Sequence, residues 1–373
     1  MCSPLGRTTL TLPTRLLRGC LPARLCSCRR PGEAGDRPLG GEVAGGGRRV
    51  PAGRTVCRAV LEHFDAEYGE WFGQRWLKFR AVMLAPNKWQ YAALPNLFAM
   101  QQRREQSLDD GRSAGVAGLW CFLAQAGRPF PKLRHEPGRL KAFYVLNAAS
   151  LLPVLALGVR SGERVLDMCA APGGKTLGIL QCAQPSLLCA NEPDELRRRR
   201  LLLALESFVP RSALRSLVTV SARDGCELGA LQPASYDKIL VDAPCSNDRS
   251  WLYGGGSEAL AELRVRERAH LPGLQTQLLR SALRAVKPGG IVVYATCTLN
   301  ARENAGVVRA VLEGNAGVVD LADMARGLQG VFSLDGVPGG SGGGAGEQPG
   351  LLVVPEEGRA WGPLYLCKLR RRS

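Results

Sequence analysis

The sequence predicts an α/β fold built on a doubly wound, mostly parallel sheet. From residue 163 onward, short apolar runs alternate with segments of helical periodicity, which is the pattern of a parallel sheet with crossover helices. A turn of small residues follows the first of these runs, as expected where such a sheet binds a ligand at its carboxyl edge. The 373 residues suffice for one large domain with a smaller attachment, because domains commonly hold roughly 100 to 200 residues.

Residues 1–54 predict a leader and a linker. Six arginines, with several Ser and Thr residues, precede the first acid, Glu33. An arginine-rich, acid-poor start with interspersed leucines is typical of a mitochondrial transit peptide, and Arg and Pro interrupt the apolar stretch that a secretory signal would need. A disordered basic tail remains the alternative. Residues 32–53 are rich in Gly, Pro and charge, as in a linker.

Residues 55–140 predict a small, mainly helical accessory region. Between 57 and 83, apolar residues recur at helical spacing, so a helix pair is expected there. The stretch 86–137 is mixed and aromatic-bearing, with a charged run at 101–106, and we expect an accessory helical region in it.

Residues 141–373 predict the main sheet domain, with seven strands. The predicted strands are 164–169, 186–191, 217–223, 237–242, 290–295, 351–354 and 363–369. The predicted helices are 174–183, 194–208, 274–287 and 301–313. Residues 337–350 are too rich in glycine to bury apolar surface, so a flexible loop is expected there, beside the closing strands.

The composition favours a partner that carries negative charge. Lys and Arg number 49 against 33 Asp and Glu, a formal net charge of +16, so nucleic acid is favoured, with an anionic membrane surface as a weaker alternative. Thirteen cysteines without regular spacing favour a reducing compartment. No Cys-x-x-Cys pair occurs and the three histidines are scattered, so no metal site is expected. No apolar stretch approaches the ~20 residues that span a bilayer, so no membrane segment is expected.

The turn after the first sheet strand is the run Asp167-Met-Cys-Ala-Ala-Pro-Gly-Gly-Lys-Thr176. Gly173 and Gly174 carry no side chains, so a bulky ligand can approach the backbone, and amides at the helix start can bind a carboxylate or a phosphate. A Walker A loop would need glycine where Cys169 stands, and the spacing of a nicotinamide fingerprint is absent. A methionine-derived cofactor is therefore the better fit.

Acidic residues end the next two strands. Glu192 is placed to accept hydrogen bonds from two ribose hydroxyls. Asp224, followed by Gly225, could face an adenine amino group, and the alternative for such an acid-Gly pair is a plain turn.

Two cysteines follow the fourth and fifth strands, in Asp242-Ala-Pro-Cys245-Ser and Ala-Thr-Cys297-Thr. One reaction that needs a cysteine beside a methyl donor is methylation of cytosine at carbon 5. That carbon does not take a methyl group unaided, whereas addition of a thiolate to carbon 6 makes carbon 5 enamine-like. Asp242 can hold the ring nitrogen and exocyclic amine, and Lys175 can contribute positive charge. Either cysteine alone is equally a buried structural thiol. Two at adjacent strand ends favour chemistry, although the sequence alone does not order their roles.

Together these runs resemble the motifs of the Nop/Sun family of RNA cytosine-5 methyltransferases, over roughly residues 140–369. The resemblance implies a sheet of the class I S-adenosylmethionine methyltransferase type, with S-adenosyl-L-methionine as cofactor. The run 242–251 and the leader resemble the third branch of the family, which is mitochondrial. This resemblance implies the wobble cytosine of mitochondrial methionine tRNA as the target and the mitochondrial matrix as the location. A mitochondrial ribosomal RNA target, and a non-catalytic RNA-binding assembly factor, remain alternatives.

By position, the resemblance assigns Cys297 as the nucleophile and Cys245 as the thiol that assists release of the methylated product. The cofactor-binding residues that it implies are Cys169, Ala170, Ala171, Pro172, Gly173, Gly174, Lys175, Glu192, Arg197, Asp224, Gly225 and Asp242. Glu192 stands where Asp is frequent in the family, which lengthens the reach of the carboxylate.

RNA contact is expected beyond the pocket, because a base that undergoes chemistry must be unstacked and delivered. The accessory region 55–140 is expected to supply much of that surface. Basic runs at 197–200, 264–268 and 370–372 are favoured as solvated faces over RNA contacts. The chain is expected to be a monomer.

Overall fold

Two helices open the part of the chain that the structure, a computed structural model, describes. The described residues are 55–373 except 103–111, 117–118, 125–129, 132, 135, 137, 255–257, 316, 323–333 and 336–347. The predictions for residues 1–54, for residues 103–106 of the charged run and for 337–347 of the glycine-rich loop lie outside the described residues.

The predicted helix pair is confirmed. Helix α1 spans Arg58–Phe72 and α2 spans Gln74–Met83. Gly73 between them has a φ of 54°, a conformation that glycine adopts without strain and that turns the chain. Each helix buries one stripe at a spacing of three to four residues, which in α1 consists of Val60, Phe64, Tyr68 and Phe72.

A four-stranded antiparallel sheet follows where a helical region was expected. The strands are β1 (Tyr91–Pro95), β2 (Arg112–Val116), β3 (Leu119–Leu123) and β4 (Phe143–Asn147), in the order β2-β3-β1-β4. A short helix, α3 (Leu97–Gln102), lies between β1 and β2. The helical prediction for 86–137 is wrong because the strands are short and β1 pairs with β4 across an intervening segment, a partnership that local periodicity does not reveal.

The main sheet is doubly wound, as predicted. After helix α4 (Leu152–Leu157), the parallel strands are β5 (Arg164–Asp167), β6 (Leu187–Asn191), β7 (Val218–Ser221), β8 (Tyr236–Asp242) and β9 (Val286–Thr296), in the order β7-β6-β5-β8-β9. The helices between and after them are α5 (Gly174–Cys182), α6 (Glu195–Phe208), α7 (Arg211–Leu217), α8 (Leu228–Leu231), α9 (Asp248–Leu252), α10 (Glu258–Ala285) and α11 (Ala305–Glu313). The α10 helix starts well before the predicted residue 274 and includes the basic run 264–268.

Antiparallel strands complete one edge of the sheet. The closing strands are β10 (Val319–Leu321), β11 (Leu334–Asp335), β12 (Leu351–Val353) and β13 (Leu364–Arg371). β13 pairs with β9, whereas β12 and β10 pair with different segments of β13, and β11 pairs with β12. All seven predicted strands are present, and β10 and β11 are short additions.

Two hydrophobic cores flank the main sheet. Successive strand residues point to opposite faces, so Leu166 belongs to one core and Val165 to the other. The first core joins α10 and α11 to the aromatic side chains of α1 and α2. The second joins α4, α5 and α6 to strands β1 and β4 of the small sheet. Within the described residues, no helix is long and apolar enough to span a membrane.

The parallel strands all end at one edge, so the loops after β5, β6, β7, β8 and β9 meet there. Every site residue predicted from the sequence lies at the end of one of these strands, in the loops that follow them or on the helices that begin there.

Candidate active site

The turn after β5 forms a cradle of small residues. Ala170 N donates to Asn191 O at 2.9 Å, and Gly173 N donates to Ala170 O at 2.8 Å, so the turn folds back on the end of β6. Gly173 has a φ of 110°, a conformation that other residues rarely adopt. A Cβ on Gly174 would lie 2.9 Å from Tyr144 Cε1 of β4, so the small sheet packs directly against the start of α5. The side chains of Cys169, Ala170 and Ala171 are buried, and Pro172 is exposed.

Two buried carboxylates lie beside this cradle. Asp167 Oδ2 accepts a 2.7 Å hydrogen bond from Thr176 Oγ1, while Asp167 Oδ1 is buried without a hydrogen-bond partner among the described residues. Burial raises the pKa of Asp167 to about 7, although the hydrogen bond from Thr176 opposes the shift. Asp167 was not predicted as a site residue, and its signal is a buried acid at the end of the first parallel strand.

Glu192, at the end of β6, is the acid that the sequence predicted. Its side chain is buried, its Oε1 accepts from Asp194 N at 3.1 Å, and its Oε2 lies 3.3 Å from Arg197 Nη2. Burial raises the pKa of Glu192, partly offset by Arg197. Arg197 also donates to Ala171 O at 3.2 Å, so it joins the start of α6 to the cradle.

Asn191, which the sequence did not single out, fixes the strand ends against each other. Its Nδ2 donates to Met168 O at 3.1 Å and to Arg223 O at 3.0 Å, and its Oδ1 accepts from Arg223 N at 3.0 Å. One buried amide therefore holds the loops after β5 and β7 to the end of β6. The signal in the sequence is a polar residue directly before Glu192.

The third predicted acid makes a turn. Asp224 is exposed, and its Oδ1 accepts from Cys226 N at 2.8 Å. A Cβ on Gly225 would lie 2.6 Å from Leu278 Cδ2 of α10, so the turn packs closely on the helix and a larger residue would displace that side chain. Asp224 therefore forms a local turn, and this turn lies at the same edge of the sheet as Asp167 and Glu192.

Lys175 and Asp242 form an ion pair at the centre of the edge. Lys175 Nζ donates to Asp242 Oδ2 at 2.7 Å, and the Lys175 side chain is only 10% exposed. Burial alone lowers the pKa of Lys175, but the charges of Asp242 and Cys297 more than offset this and hold the pKa above its usual value. The lysine is therefore a fixed positive charge.

The two predicted cysteines are in contact. Cys297 N donates to Cys245 Sγ at 3.2 Å, and both side chains are partly buried. A hydrogen bond between the thiols lowers the pKa of Cys297 and raises that of Cys245. Burial opposes ionisation of Cys297, while the positive charge of Lys175 favours it. Of the two thiols, Cys297 is therefore the more acidic.

Polar side chains that the sequence did not single out support the cysteine loops. Ser246 N donates to Glu303 Oε2 at 3.0 Å, and Ser246 Oγ donates to Glu303 Oε1 at 2.7 Å. Gln275 of α10 donates to Pro244 O at 2.9 Å and to Glu303 Oε2 at 3.0 Å. Gln275 and Glu303 are distant in sequence from Ser246, so no local sequence pattern predicts these contacts.

The basic runs divide between surface and interior. In the run 264–268, Arg266 is exposed but Arg268 is only 3% exposed and lies 2.7 Å from Glu67 Oε2, so it is a buried partner of acids and not part of a solvated face. Arg249 is also buried, lies 4.5 Å above the ring of Trp89 and donates to Ala360 O at 2.9 Å. Among the described residues, no group of three or more His, Cys, Asp or Glu side chains could hold a metal ion.

Several known proteins that are similar to this chain in sequence are methyltransferases. A family model described as 16S rRNA methyltransferase RsmB/F matches residues 154–327. The mitochondrial tRNA (cytosine(34)-C(5))-methyltransferase of Mus musculus is 44% identical, over 85% of this chain and 92% of that protein. The 5-cytosine rRNA methyltransferase NSUN4 of Mus musculus is 36% identical, over 85% and 90%.

Solved structures show the same fold. The crystal structure of a methyltransferase homolog protein from Pyrococcus horikoshii matches with a TM-score of 0.60 at 24% identity, covering 84% of this chain and 97% of that one. This fold, together with the relatives at 44% and 36% identity, defines a methyltransferase of the doubly wound class. The chain belongs to the family of RNA cytosine-5 methyltransferases that the RsmB/F model describes.

Proposed function

We propose that this protein transfers a methyl group from S-adenosyl-L-methionine to carbon 5 of a cytosine in RNA, through a covalent bond between Cys297 and carbon 6. The observation that carries the proposal is the contact between Cys245 and Cys297 beside the ion pair of Lys175 and Asp242. Two thiols of unequal acidity, with a fixed cation next to the more acidic one, meet the needs of covalent catalysis on a base.

The residues around the cradle fit the cofactor. The buried Oδ1 of Asp167 has no partner among the described side chains and suits an ammonium group, and the buried Glu192 suits a pair of ribose hydroxyls. Cys169 to Gly174 would leave room for the ligand against the backbone, with Arg197, Asp224 and Gly225 on the neighbouring loops. When bound, S-adenosyl-L-methionine supplies an electrophilic methyl group.

The thiolate of Cys297 would open the reaction by bonding to carbon 6 of the cytosine. The electron pair of the carbon 5–carbon 6 double bond then shifts to the carbon 4–carbon 5 bond, and the pair of the carbon 4–nitrogen 3 bond shifts to the ring nitrogen, which takes a proton beside Asp242. Carbon 5 is then part of an enamine and becomes nucleophilic. Lys175 would lower the energy of the negative charge on the sulfur before the bond forms.

Cys245 would assist release. After carbon 5 has taken the methyl group, its remaining proton must leave so that the double bond can form again and Cys297 can depart. Cys245 Sγ lies 3.2 Å from the backbone N of the nucleophile, and the raised pKa of Cys245 makes its thiolate, once the thiol has given its proton to solvent, a strong base for the proton on carbon 5. As the Cys245 thiolate takes that proton, the bonding pair of the carbon 5–hydrogen bond re-forms the carbon 5–carbon 6 double bond and Cys297 leaves as a thiolate. The ring nitrogen gives up the proton that it took when Cys297 added, so each methyl transfer releases one proton overall.

The substrate that we propose is the wobble cytosine of mitochondrial methionine tRNA, with action in the mitochondrial matrix. The higher identity to the tRNA enzyme, 44% against 36% for the ribosomal RNA enzyme, supports this choice. Both relatives cover similar shares of the chain, so the preference rests on the closer match along the same length.

A direct test is methyl transfer from labelled S-adenosyl-L-methionine to a transcript of mitochondrial methionine tRNA. The matched control is the same transcript with uracil at the wobble position. We expect label in the first transcript only. Equal labelling of both transcripts, or labelling of a ribosomal RNA fragment alone, would refute the tRNA assignment.

A further inference from the structure

We propose that Tyr68, on the first helix of the accessory region, is a positioning residue for the two catalytic cysteines. It acts through the carboxylate of Asp248, to which both cysteine loops are bonded. This inference rests on the proposed function and adds a residue to its machinery. Tyr68 lies outside residues 154–327, the part that the family model matches.

Asp248 joins the two cysteine loops. It lies three residues after Cys245, and its backbone N donates to Cys297 O at 3.3 Å. Its Oδ1 accepts from Thr298 Oγ1 at 2.7 Å, and its Oδ2 accepts from Leu299 N at 2.8 Å. Because Thr298 and Leu299 directly follow Cys297, the carboxylate sets the position of one loop relative to the other.

Tyr68 holds that carboxylate in place. Its Oη donates to Asp248 Oδ2 at 2.8 Å and accepts from Arg268 Nη2 at 2.6 Å. The hydroxyl also lies 3.4 Å from Thr298 Oγ1. Tyr68 is fully buried, so no water can replace its hydroxyl without a rearrangement of the core.

Arg268 completes the arrangement from α10. It is only 3% exposed, and its guanidinium lies 2.7 Å from Glu67 Oε2 and 3.5 Å from Glu303 Oε1. Glu303 bonds in turn to Ser246, the residue after Cys245. The hydroxyl of Tyr68 therefore lies between the buried guanidinium of Arg268, which reaches a cysteine loop through Glu303, and the Asp248 carboxylate, which contacts the loop of Cys297 directly.

The short path of hydrogen bonds from Tyr68 to the cysteine loops favours a role in positioning the cysteines over a role in stability alone. A hydroxyl that served only to hold α1 in place could bond to any backbone carbonyl, as Tyr253 Oη does with Met83 O at 3.2 Å. Tyr68 instead bonds to a carboxylate that contacts both loops. Small errors in the placement of reacting groups slow catalysis roughly 100-fold per ångström, so the loss of this bond should reach the chemistry.

The test compares Tyr68→Phe with Tyr253→Phe in the full chain. Both substitutions delete one buried hydroxyl at the contact between the accessory helices and the main domain, and both keep the ring. We expect kcat of Tyr68→Phe to fall roughly 10- to 100-fold, with KM for RNA and for S-adenosyl-L-methionine unchanged. Tyr253→Phe should keep the wild-type kcat, although both variants lose thermal stability.

Two outcomes would overturn the inference: equal kcat in the two variants, or a change in KM for RNA at constant kcat in Tyr68→Phe. If Tyr68→Phe does not fold, Thr298→Val removes the hydroxyl on the other side of Asp248, and wild-type kcat in that variant would overturn the inference too. The proposed function fails separately, if the wild-type protein methylates no RNA.

Discussion

At the residue scale, the hydrogen bond from Cys245 and the fixed charge of Lys175 together lower the pKa of Cys297. Lys175 is held between Asp242 and Cys297, and burial keeps water from screening it. The positive charge lowers the pKa of Cys297 together with the hydrogen bond from Cys245. A neutral side chain at position 175 should leave the nucleophile protonated over a wider range of pH.

Substitution Lys175→Met is expected to shift the alkylation of Cys297 by iodoacetamide to higher pH, by about 1 unit or more, because an adjacent charge moves a pKa by this amount. The rate at each pH is read from the peptide that contains Cys297. The control is Lys287→Met, which removes a lysine that pairs with Asp237 at 2.6 Å on another part of the sheet. An unchanged pH dependence in Lys175→Met would show that the lysine does not activate the thiol.

Asp167 makes stability depend on pH. Its pKa rises from 3.8 to about 7 in the folded state, so the folded protein binds a proton more tightly than the unfolded chain does. The linkage relation then requires that stability falls as pH rises through this window.

Asp167→Asn removes that titration, while the amide oxygen can still accept from Thr176. The melting temperature of the variant relative to wild type, without cofactor, should therefore rise between about pH 4 and about pH 7, with little further change above. A relative melting temperature that is flat across this range would show that Asp167 stays ionised in the folded protein.

At the scale of elements, glycines determine how closely the turns approach the helices. Gly225 lies between β7 and α8, where a Cβ would meet Leu278 of α10 at 2.6 Å and Met168 at 3.2 Å. Gly273, within α10, has no atom within 4 Å of its Cβ position. Alanine substitutions at these two positions should therefore change the free energy of unfolding in opposite directions.

Gly225→Ala should lower the free energy of unfolding by about 1–3 kcal/mol, the usual cost of overpacking a core. Gly273→Ala should raise it by up to about 1 kcal/mol, because alanine favours a helix interior. Urea denaturation of both variants checks the pair. A neutral or stabilising Gly225→Ala would mean that the turn moves away from α10 at no cost.

The site elements that the sequence predicted are those with local signals. The turn from Asp167 to Thr176 and the cysteines after β8 and β9 lie where strands end, and strand ends follow from short apolar runs. The antiparallel sheet at 91–147 has no such signal, since β1 finds its partners far along the chain. Its role is visible only in contacts, such as that between Tyr144 and the start of α5.

At the scale of the whole molecule, the accessory helices share a core with the main sheet. Phe64 and Tyr68 of α1 pack in the same hydrophobic cluster as Leu166 of β5 and Tyr294 of β9. The buried bonds of Tyr68 with Asp248 and Arg268 span 180 and 200 residues of sequence. Polar pairs so far apart carry no periodicity, which is why the sequence predicted the helix but not its partners.

A shared core predicts one cooperative unfolding transition. Phe64→Ala should lower the free energy of unfolding by about 3–5 kcal/mol and shift the whole transition, measured by calorimetry and by far-ultraviolet circular dichroism. Leu77→Ala, on the neighbouring helix, is the control because Leu77 is 59% exposed, and its effect should stay within about 0.5 kcal/mol. Two separate transitions in Phe64→Ala would mean that the accessory helices unfold independently.

The central claim is that Cys297 bonds covalently to the RNA and that Cys245 releases it. In the most direct measurement, the Cys245→Ala protein is incubated with labelled tRNA and S-adenosyl-L-methionine. A denaturing gel then shows whether the RNA is bound covalently to the protein. We expect a protein–RNA adduct that persists in Cys245→Ala and is absent when Cys297→Ala is added to the same chain. An adduct in Cys297→Ala but not in Cys245→Ala would reverse the two roles, and no adduct with either protein would contradict the covalent mechanism.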